Sequence, residues 1–459
     1  MTTRSSRPRY PKVKCDPARR AAYDVLHEVG SGDAYANVAL SQIQRSHELD
    51  VRDAGFCTEV VNGTLRYRGL LDAVVAQCSG RPTSKLDPRV LDILRMGAYQ
   101  LLVMETDAYA AVNTSVDLVR GVVGEAPVGL VNAVLRKVSS RSRTDWLRSL
   151  TEGVGQDDER LSIEFSHPTW VVAAFRDALG REGSEQLPQL LAMNNRPPAV
   201  TLAARPGMST VDDLLKAGAT PGRLSPYAAI APGGPVGRFP PVRDRLASVQ
   251  DEGSQLVAIA LADASLSGSD DVWVDLCAGP GGKLALLSAI GAERGASTVG
   301  VELHPHRAQL IRNSVSRVPG FAGVVVGDSR YPPIQPRVDR ILLDVPCTGL
   351  GVVRRRPELR WRRSPNDVPA LRKLQTELLN AAADLLRPGG VVAYVTCSPH
   401  IAETELVVSG VVRRRKDLSV EDSRSLFPGV SDLGDGPNVR LWPHLHGTDG
   451  MFFSLMRRR

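Results

Sequence analysis

No run of 18 or more apolar residues occurs in the 459-residue chain, so no transmembrane helix is expected. The segment Met1 to Lys14 is basic and serine-containing but has no apolar core, which argues against a secretory signal. Six cysteines, Cys15, Cys57, Cys78, Cys277, Cys347 and Cys397, are scattered without a CxxC pair. That pattern argues against a disulfide framework and for reduced thiols in a cytoplasmic protein. The pairs His304/His306 and His444/His446 have neither nearby cysteines nor a HExxH context, so no metal site is expected. There is also no internal repeat and no low-complexity segment.

What is present begins with length. A chain of this size exceeds one ordinary hydrophobic core, so two or three domains are expected, and 42% hydrophobic with 23% charged residues fits a globular protein. Lys plus Arg total 57 against 50 Asp plus Glu, a net charge of +7. That modest excess suits a polyanionic partner without identifying one. Arginines cluster at Arg4/Arg7/Arg9, Arg354 to Arg356, Arg360/Arg362/Arg363, Arg413 to Arg415 and Arg457 to Arg459. Any single cluster reads most simply as a solvated face or tail. The run from Arg354 to Arg363 differs because it follows directly on a chemical motif.

Apolar periodicity divides the chain. From about Pro17 to Trp146 it is helical: Ala21, Ala22, Val25, Leu26 and Val29 recur at helical spacing, as do Leu86, Val90, Ile93 and Leu94. Asp87-Pro88 reads as an N-cap followed by proline at the first helical position. We therefore expect a basic tail over 1–16 and an all-α domain over 17–150. Residues 155–245 suggest a small α+β connecting domain, with a helix opening at His167 to Trp170, a strand at Val200 to Ala204, and loop or linker from Pro221 to Pro241. Over 246–459 short apolar strands alternate with helical segments, as in a doubly wound α/β sheet. Strands are expected at Val272–Leu276, Thr298–Val301, Gly323–Val326, Arg340–Leu343 and Val391–Thr396, with helices at Lys283–Ile290, Pro305–Val318 and Val368–Leu386.

Chemically suggestive residues fall at the carboxyl ends of these strands, where such sheets bind ligands. Asp275-Leu276-Cys277-Ala278-Gly279-Pro280-Gly281-Gly282-Lys283 runs off a strand into a helix, and its three glycines permit close backbone approach to a ligand. Glu302, ending the next strand, suits a ribose diol, and Asp328, ending the third, suits an adenine amino group. Leu284 follows Lys283, so there is no Walker A pair, and the spacing alone leaves a dinucleotide and an adenosyl cofactor both open.

Asp344-Val345-Pro346-Cys347-Thr348-Gly349 follows the fourth strand, and Thr396-Cys397-Ser398 ends the fifth. An isolated cysteine is usually a small core residue, the reading kept for Cys15, Cys57 and Cys78. Two thiols at neighbouring strand ends beside a cofactor turn have a more specific use. Carbon 5 of cytosine is a poor nucleophile, and a thiolate adding to carbon 6 makes it enamine-like; a carboxylate such as Asp344 near N3 would stabilise the adduct. Which thiol attacks is not decided by the residues themselves.

The set Gln250 to Ser254, Asp275 to Lys283, Asp344 to Gly349, Arg356-Pro357-Glu358, Trp361 and Thr396-Cys397-Ser398 resembles the RNA cytosine-5 methyltransferases. The helical region is similar to the NusB-like RNA-binding module of the Fmu/Sun family of bacterial 16S ribosomal RNA methyltransferases. The resemblance spans essentially the whole chain. It implies a Rossmann-like methyltransferase domain using S-adenosyl-L-methionine, 16S rRNA as partner, Cys397 as nucleophile and Cys347 as the thiol that helps release product. It places the cofactor on residues 277–283 (Cys277, Ala278, Gly279, Pro280, Gly281, Gly282, Lys283) with Glu302, Asp328 and Asp344, and brings Lys283 near the reacting centre. Gly279 stands where the family commonly has Ala, Leu284 where it has Thr, and Thr348 where Ser is usual. RNA phosphates are expected at Arg354, Arg355, Arg356 and Arg360, with Trp361 stacking on a base or bracing the loop. A recessed site requires the target cytosine to leave its stack. A monomer without membrane or metal partners is expected. Transfer RNA is the alternative substrate, and a non-catalytic RNA-binding or assembly protein the alternative class. A dinucleotide oxidoreductase would call for a GxGxxG fingerprint, which is missing, and has no use for paired thiols.

Overall fold

The computed structural model describes residues 15–32 and 34–459, so the basic tail up to Lys14, with Arg4, Arg7 and Arg9, lies outside the described residues. The described chain divides into two compact units, one running to Thr169 and including Arg356–Glu358, the other comprising Trp170–Arg355 and Leu359–Arg459.

The first unit is helical. Its helices are Pro17–Ser31, Ala36–Ser46, Val51–Arg66, Arg68–Ser79, Pro88–Leu102, Ala108–Val122, Val128–Val138, Arg143–Thr151 and Asp157–Phe165. Local chemistry sets where they begin: the Asp16 and Asp87 side chains accept from the backbone N–H of Arg19 and Arg89, with Pro17 and Pro88 opening the first turn. Each such cap is worth about 1 kcal/mol. The apolar stripes read from the sequence meet in one core that includes Ala21, Val25, Leu70, Ile93, Leu94 and Leu135. Gly63 permits the closest approach, since a Cβ there would lie 1.9 Å from the Tyr99 ring.

The second unit opens with helix Thr169–Gly183, interrupted at Gly180, and helix Leu187–Asn194. A small antiparallel sheet follows in the order β2-β3-β1-β4, built from β1 (Thr201–Ala204), β2 (Thr220–Pro221), β3 (Ala228–Ile230) and β4 (Ala247–Val249). The three-residue β3 lies within the stretch from Pro221 to Pro241 expected as loop or linker with little regular structure. Ala228-Ala229-Ile230 has weak strand propensity, and pairing with β1 supplies what the local sequence does not.

The large sheet has the order β10-β12-β9-β8-β5-β6-β7, with β11 paired to β12. Its strands are β5 (Val272–Asp275), β6 (Ser297–Glu302), β7 (Phe321–Val326), β8 (Val338–Asp344), β9 (Leu386–Thr396), β10 (Leu418–Glu421), β11 (Val439–Leu441) and β12 (Met451–Arg458). β5 to β9 are parallel to their neighbours, whereas β12 is antiparallel to β9 and β10 to β12. The chain winds from β5 out to β7 and returns on the other side of β5 as β8. The crevice between the β5 and β8 carboxyl ends is therefore the switch point of the sheet.

Three differences from the sequence reading have physical causes. Strand β8 begins at Val338, because Asp339 and Arg340 are buried charges with partners. Asp339 receives Arg387, Ser269 and two backbone N–H groups, and Arg340 pairs with Asp270 at 2.7 Å. Helix Pro305–Val315 stops short of Val318, ahead of Pro319 and the left-handed Gly320 (φ 74°). Strands β10 to β12 were not anticipated; they complete the β9 edge, and the Arg457-Arg458 cluster is structural, with Arg457 paired to Glu421 and Arg458 donating to the carbonyls of Asp384 and Leu386.

Candidate active site

At the switch point the carboxyl ends of β5, β8 and β9 bring three sequence segments together. Register pairs Asp275 with Leu342 and Asp344 with Val395, so Asp344 and Thr396-Cys397 emerge side by side. The Cys347 and Cys397 sulfurs lie 3.4 Å apart, within hydrogen-bonding distance and unbonded. Lys283, at the start of helix Gly282–Glu293, donates to Asp344 Oδ2 at 2.7 Å. Burial opposes the Lys283 charge, but the Asp344 carboxylate outweighs it and holds the ammonium above its ordinary pKa. The hydrogen bond to Cys397, and then burial, push the Cys347 thiol well above its ordinary range. Beneath them Asp275 is buried, and desolvation reinforced by the Asp344 charge raises its carboxyl to about 7.

The glycine turn has the form the sequence suggested. Gly281 caps helix Gly282–Glu293 with φ 106°, a conformation that side chains with a Cβ rarely adopt. A Cβ on Gly279 would fall 2.2 Å from Glu302 Oε2 and 2.3 Å from Arg307, the far ends of two flexible side chains. Gly279 thus leaves room for the Arg307–Glu302 ion pair (3.6 Å) beside the turn. Glu302 also accepts from His304 N–H at the end of β6, and Asp328, beyond β7, is paired with Arg330 at 2.6 Å. Ala278 is buried, its N–H donating to Val301, and Cys277 is a thiol whose pKa burial and then Asp275 drive upward, a packing residue of the turn.

Comparison with known proteins follows the same outline. Residues 265–457 match the family described as 16S rRNA methyltransferase RsmB/F, and residues 16–140 match the NusB family. The probable ribosomal RNA small subunit methyltransferase B of Synechocystis is 30% identical over 461 residues, covering 96% of this chain and 99% of that relative. The chain belongs to the RsmB/F methyltransferase family. A putative methyltransferase of Mycobacterium tuberculosis, Rv1407, is 48% identical across 100% of both chains. The crystal structure of PH0851 shares the fold, with a TM-score of 0.80 at 21% identity over 98% of this chain and 100% of that one.

In this RsmB/F chain one important residue escapes the motifs. Glu403 is fully buried in a short turn after Cys397. Its Oε1 accepts from Thr348 N–H at 2.8 Å and Gln375 Nε2 at 3.1 Å, and its Oε2 accepts from the hydroxyls of Thr348 at 2.5 Å and Ser398 at 2.6 Å. Thr348 and Ser398 directly follow the two cysteines, so a single carboxylate ties together both thiol-bearing loops. Gln375 adds a bond to Pro346 O, and Gly351 N–H donates to Cys397 O. The signal was faint: a lone acidic residue in a loop has no periodicity and no spacing rule.

Three of the four arginines expected at RNA phosphates are held inside the fold. Arg360 is 0% exposed and donates to Asn195 Oδ1 and Asn194 O. Arg355 bridges the buried carboxylates of Asp251 (3.0 Å) and Asp449 (3.1 Å), and Arg354 is buried with a bond to Gly447 O. These three guanidiniums are internal braces, because burying so many carbonyls and carboxylates here demands donors. Arg356 lies over the Tyr35 ring at 5.5 Å, and Trp361 is half-buried. Of the histidine pairs, His446 accepts from Trp442 N–H and His444 contacts Gln186, while the His304 and His306 rings lie 5.7 Å apart.

Proposed function

We propose that this protein transfers a methyl group from S-adenosyl-L-methionine to carbon 5 of a cytosine in 16S rRNA, with Cys397 as nucleophile. The observation that carries the reading is the thiol pair at 3.4 Å, set beside the Lys283–Asp344 pair at the switch point. The residues of the turn fit the cofactor. Gln250 is buried against Gly282, and among the described residues neither of its side-chain amide atoms has a partner, which a bound ligand's polar groups would satisfy. The backbone from Cys277 to Lys283, with Glu302 and Asp328, would hold it, and once bound it supplies an electrophilic methyl group.

The chain's own residues account for the rest. Cys397 as thiolate adds to carbon 6, forming the S–C6 bond and shifting electron density to N3 and carbon 5. The proton that Cys397 gives up is delivered to N3 as the density arrives there, and the Asp344 carboxylate, held by Lys283, accepts the resulting N3–H. Carbon 5 takes the methyl group; loss of its proton to a base then restores the ring and breaks the S–C6 bond. Cys347, kept as a neutral thiol by its surroundings, is placed to donate to the Cys397 sulfur as it leaves. The choice of Cys397 as the attacker rests on the family resemblance, since either sulfur can donate in the 3.4 Å contact.

The test combines tritiated S-adenosylmethionine with undermodified 16S rRNA. Wild type is expected to label cytosine C5, Cys397→Ala to be inert, and Cys347→Ala to accumulate a covalent RNA–protein adduct. Full turnover by Cys397→Ala refutes the nucleophile assignment. Labelling of transfer RNA but not 16S rRNA refutes the substrate, and labelling of no RNA points to a binding or assembly protein.

A further inference from the structure

With Arg354, Arg355 and Arg360 committed to internal bonds, the cations that meet an RNA backbone must lie elsewhere. Helices Val368–Leu385 and Glu405–Arg414 leave a groove of about 580 Å³ between them. Four cations line it, Arg372 and Lys373 from the first helix and Arg413 and Arg414 from the second, and all four are exposed. Among the described residues none of the four is in an ion pair. Their neighbours behave differently: Arg415 is held by Asp384 and Asp417, and Arg330 reaches Glu377, the one carboxylate lining the groove. Leu406, 43% exposed, lies on the same lining.

Position adds to composition. Gln375, one turn beyond Arg372 on the same helix, bonds to Pro346 and Glu403 behind the thiol loops. Ala402, which lines the groove, adjoins Glu403 in the turn after Cys397. The groove beside the turn that holds Glu403 is therefore a face that carries unneutralised positive charge.

We propose that this groove binds the phosphodiester backbone of the substrate RNA strand flanking the target cytosine, an inference that rests on the RNA-methyltransferase reading above. Four cations facing one carboxylate that is already paired is a poor arrangement for a protein surface left bare, since like charges repel. A polyanion threaded through it neutralises them and releases counterions. The apolar lining at Leu406 offers a surface for a ribose or base face without sequence readout, so the groove positions the strand rather than selecting it.

The experiment uses the full chain with Arg372→Glu/Arg413→Glu and, as a milder pair, Arg372→Gln/Arg413→Gln. RNA affinity is measured by filter binding across a salt series, and kcat and KM by methyl transfer to 16S rRNA. These exposed side chains hold no bond of the fold, so thermal unfolding is expected to match wild type. The charge-reversed pair is expected to raise KM for RNA at least roughly tenfold with kcat within about twofold. The neutral pair is expected to lower the slope of log K against log salt by about 1.5, at about 0.7–0.9 per lost phosphate contact. Unchanged affinity and slope in both variants overturn the groove while leaving the methyltransferase reading intact, and leave an acidic protein partner as the better occupant. If wild type binds RNA through these residues but methylates none, the catalytic reading fails and the groove stands; if wild type binds no RNA, both fall.

Discussion

Replacing Glu403 with alanine removes one acceptor from four donors at zero solvent exposure. The hydroxyls of Thr348 and Ser398, 2.9 Å apart, can then bond to each other, and Gln375 keeps Pro346 O. The Thr348 N–H, one Gln375 N–H and one of the two hydroxyl hydrogens are left without that acceptor, at about 1 kcal/mol or more each, and the vacated volume adds to that. A loss of about 3–5 kcal/mol of stability is therefore expected for Glu403→Ala. Glutamine can place its oxygen on Thr348 N–H and Gln375 and its amide N–H groups on the two hydroxyls, which accept as well as donate. Glu403→Gln should cost only about 1 kcal/mol. Denaturant unfolding of the three proteins measures this directly. Because Glu403 also sets the spacing of the two thiols, single-turnover methyl transfer should fall by about 10²-fold in folded Glu403→Ala, the cost of misplacing reacting groups by an ångström. Recovery of most of that rate in Glu403→Gln would accompany the recovered stability. An alanine variant within 1 kcal/mol of wild type, or a glutamine variant as impaired as alanine, refutes the reasoning.

Three further outcomes follow from the same geometry. Asp275, with its carboxyl raised to about 7, favours the folded state while protonated, so its contribution is complete below about pH 4 and is lost as pH rises through 7. Asp275→Asn should flatten the fall in unfolding midpoint between about pH 4 and 7, and an unchanged pH profile would contradict the assignment. Lys283→Met leaves Asp344 without its 2.7 Å partner next to Asp275; methyl transfer should drop by about 10²-fold with folding retained, and wild-type turnover would exclude Lys283 from the site. Arg360→Ala should destabilise the fold by about 2–4 kcal/mol while leaving KM for RNA unchanged, because the guanidinium is fully buried; a raised KM with unaltered stability would restore the phosphate role.

Much of this protein was legible in one dimension where local chemistry decides the outcome. Capping aspartates and first-turn prolines marked helix starts, apolar spacing identified the helical unit, and the glycine turn announced its own backbone at Gly281. Asp344, Cys347 and Cys397 could be grouped because each follows a readable strand in a sheet type that gathers strand ends. The strand at Val338 was partly masked because Asp339 and Arg340 look solvent-facing until Arg387 and Asp270 are known to meet them. The edge strands β10 to β12 depend on pairing with β9, which no local pattern declares.

Residue types and their order along the chain thus determined the fold class, the glycine turn and which two thiols stand at neighbouring strand ends. Tertiary structure alone decided what surrounds them: the 3.4 Å sulfur contact, the buried carboxylate of Glu403 behind both loops, and the partition of arginines between inside and outside. The reason lies in how charge is stabilised. An arginine written beside a motif looks the same whether it meets water, a phosphate or a buried carbonyl, and only the packed chain settles which of these surrounds it. Arg360 therefore became a brace, and Arg372 and Arg413, far from any motif, face solvent in the groove beside the turn that holds Glu403.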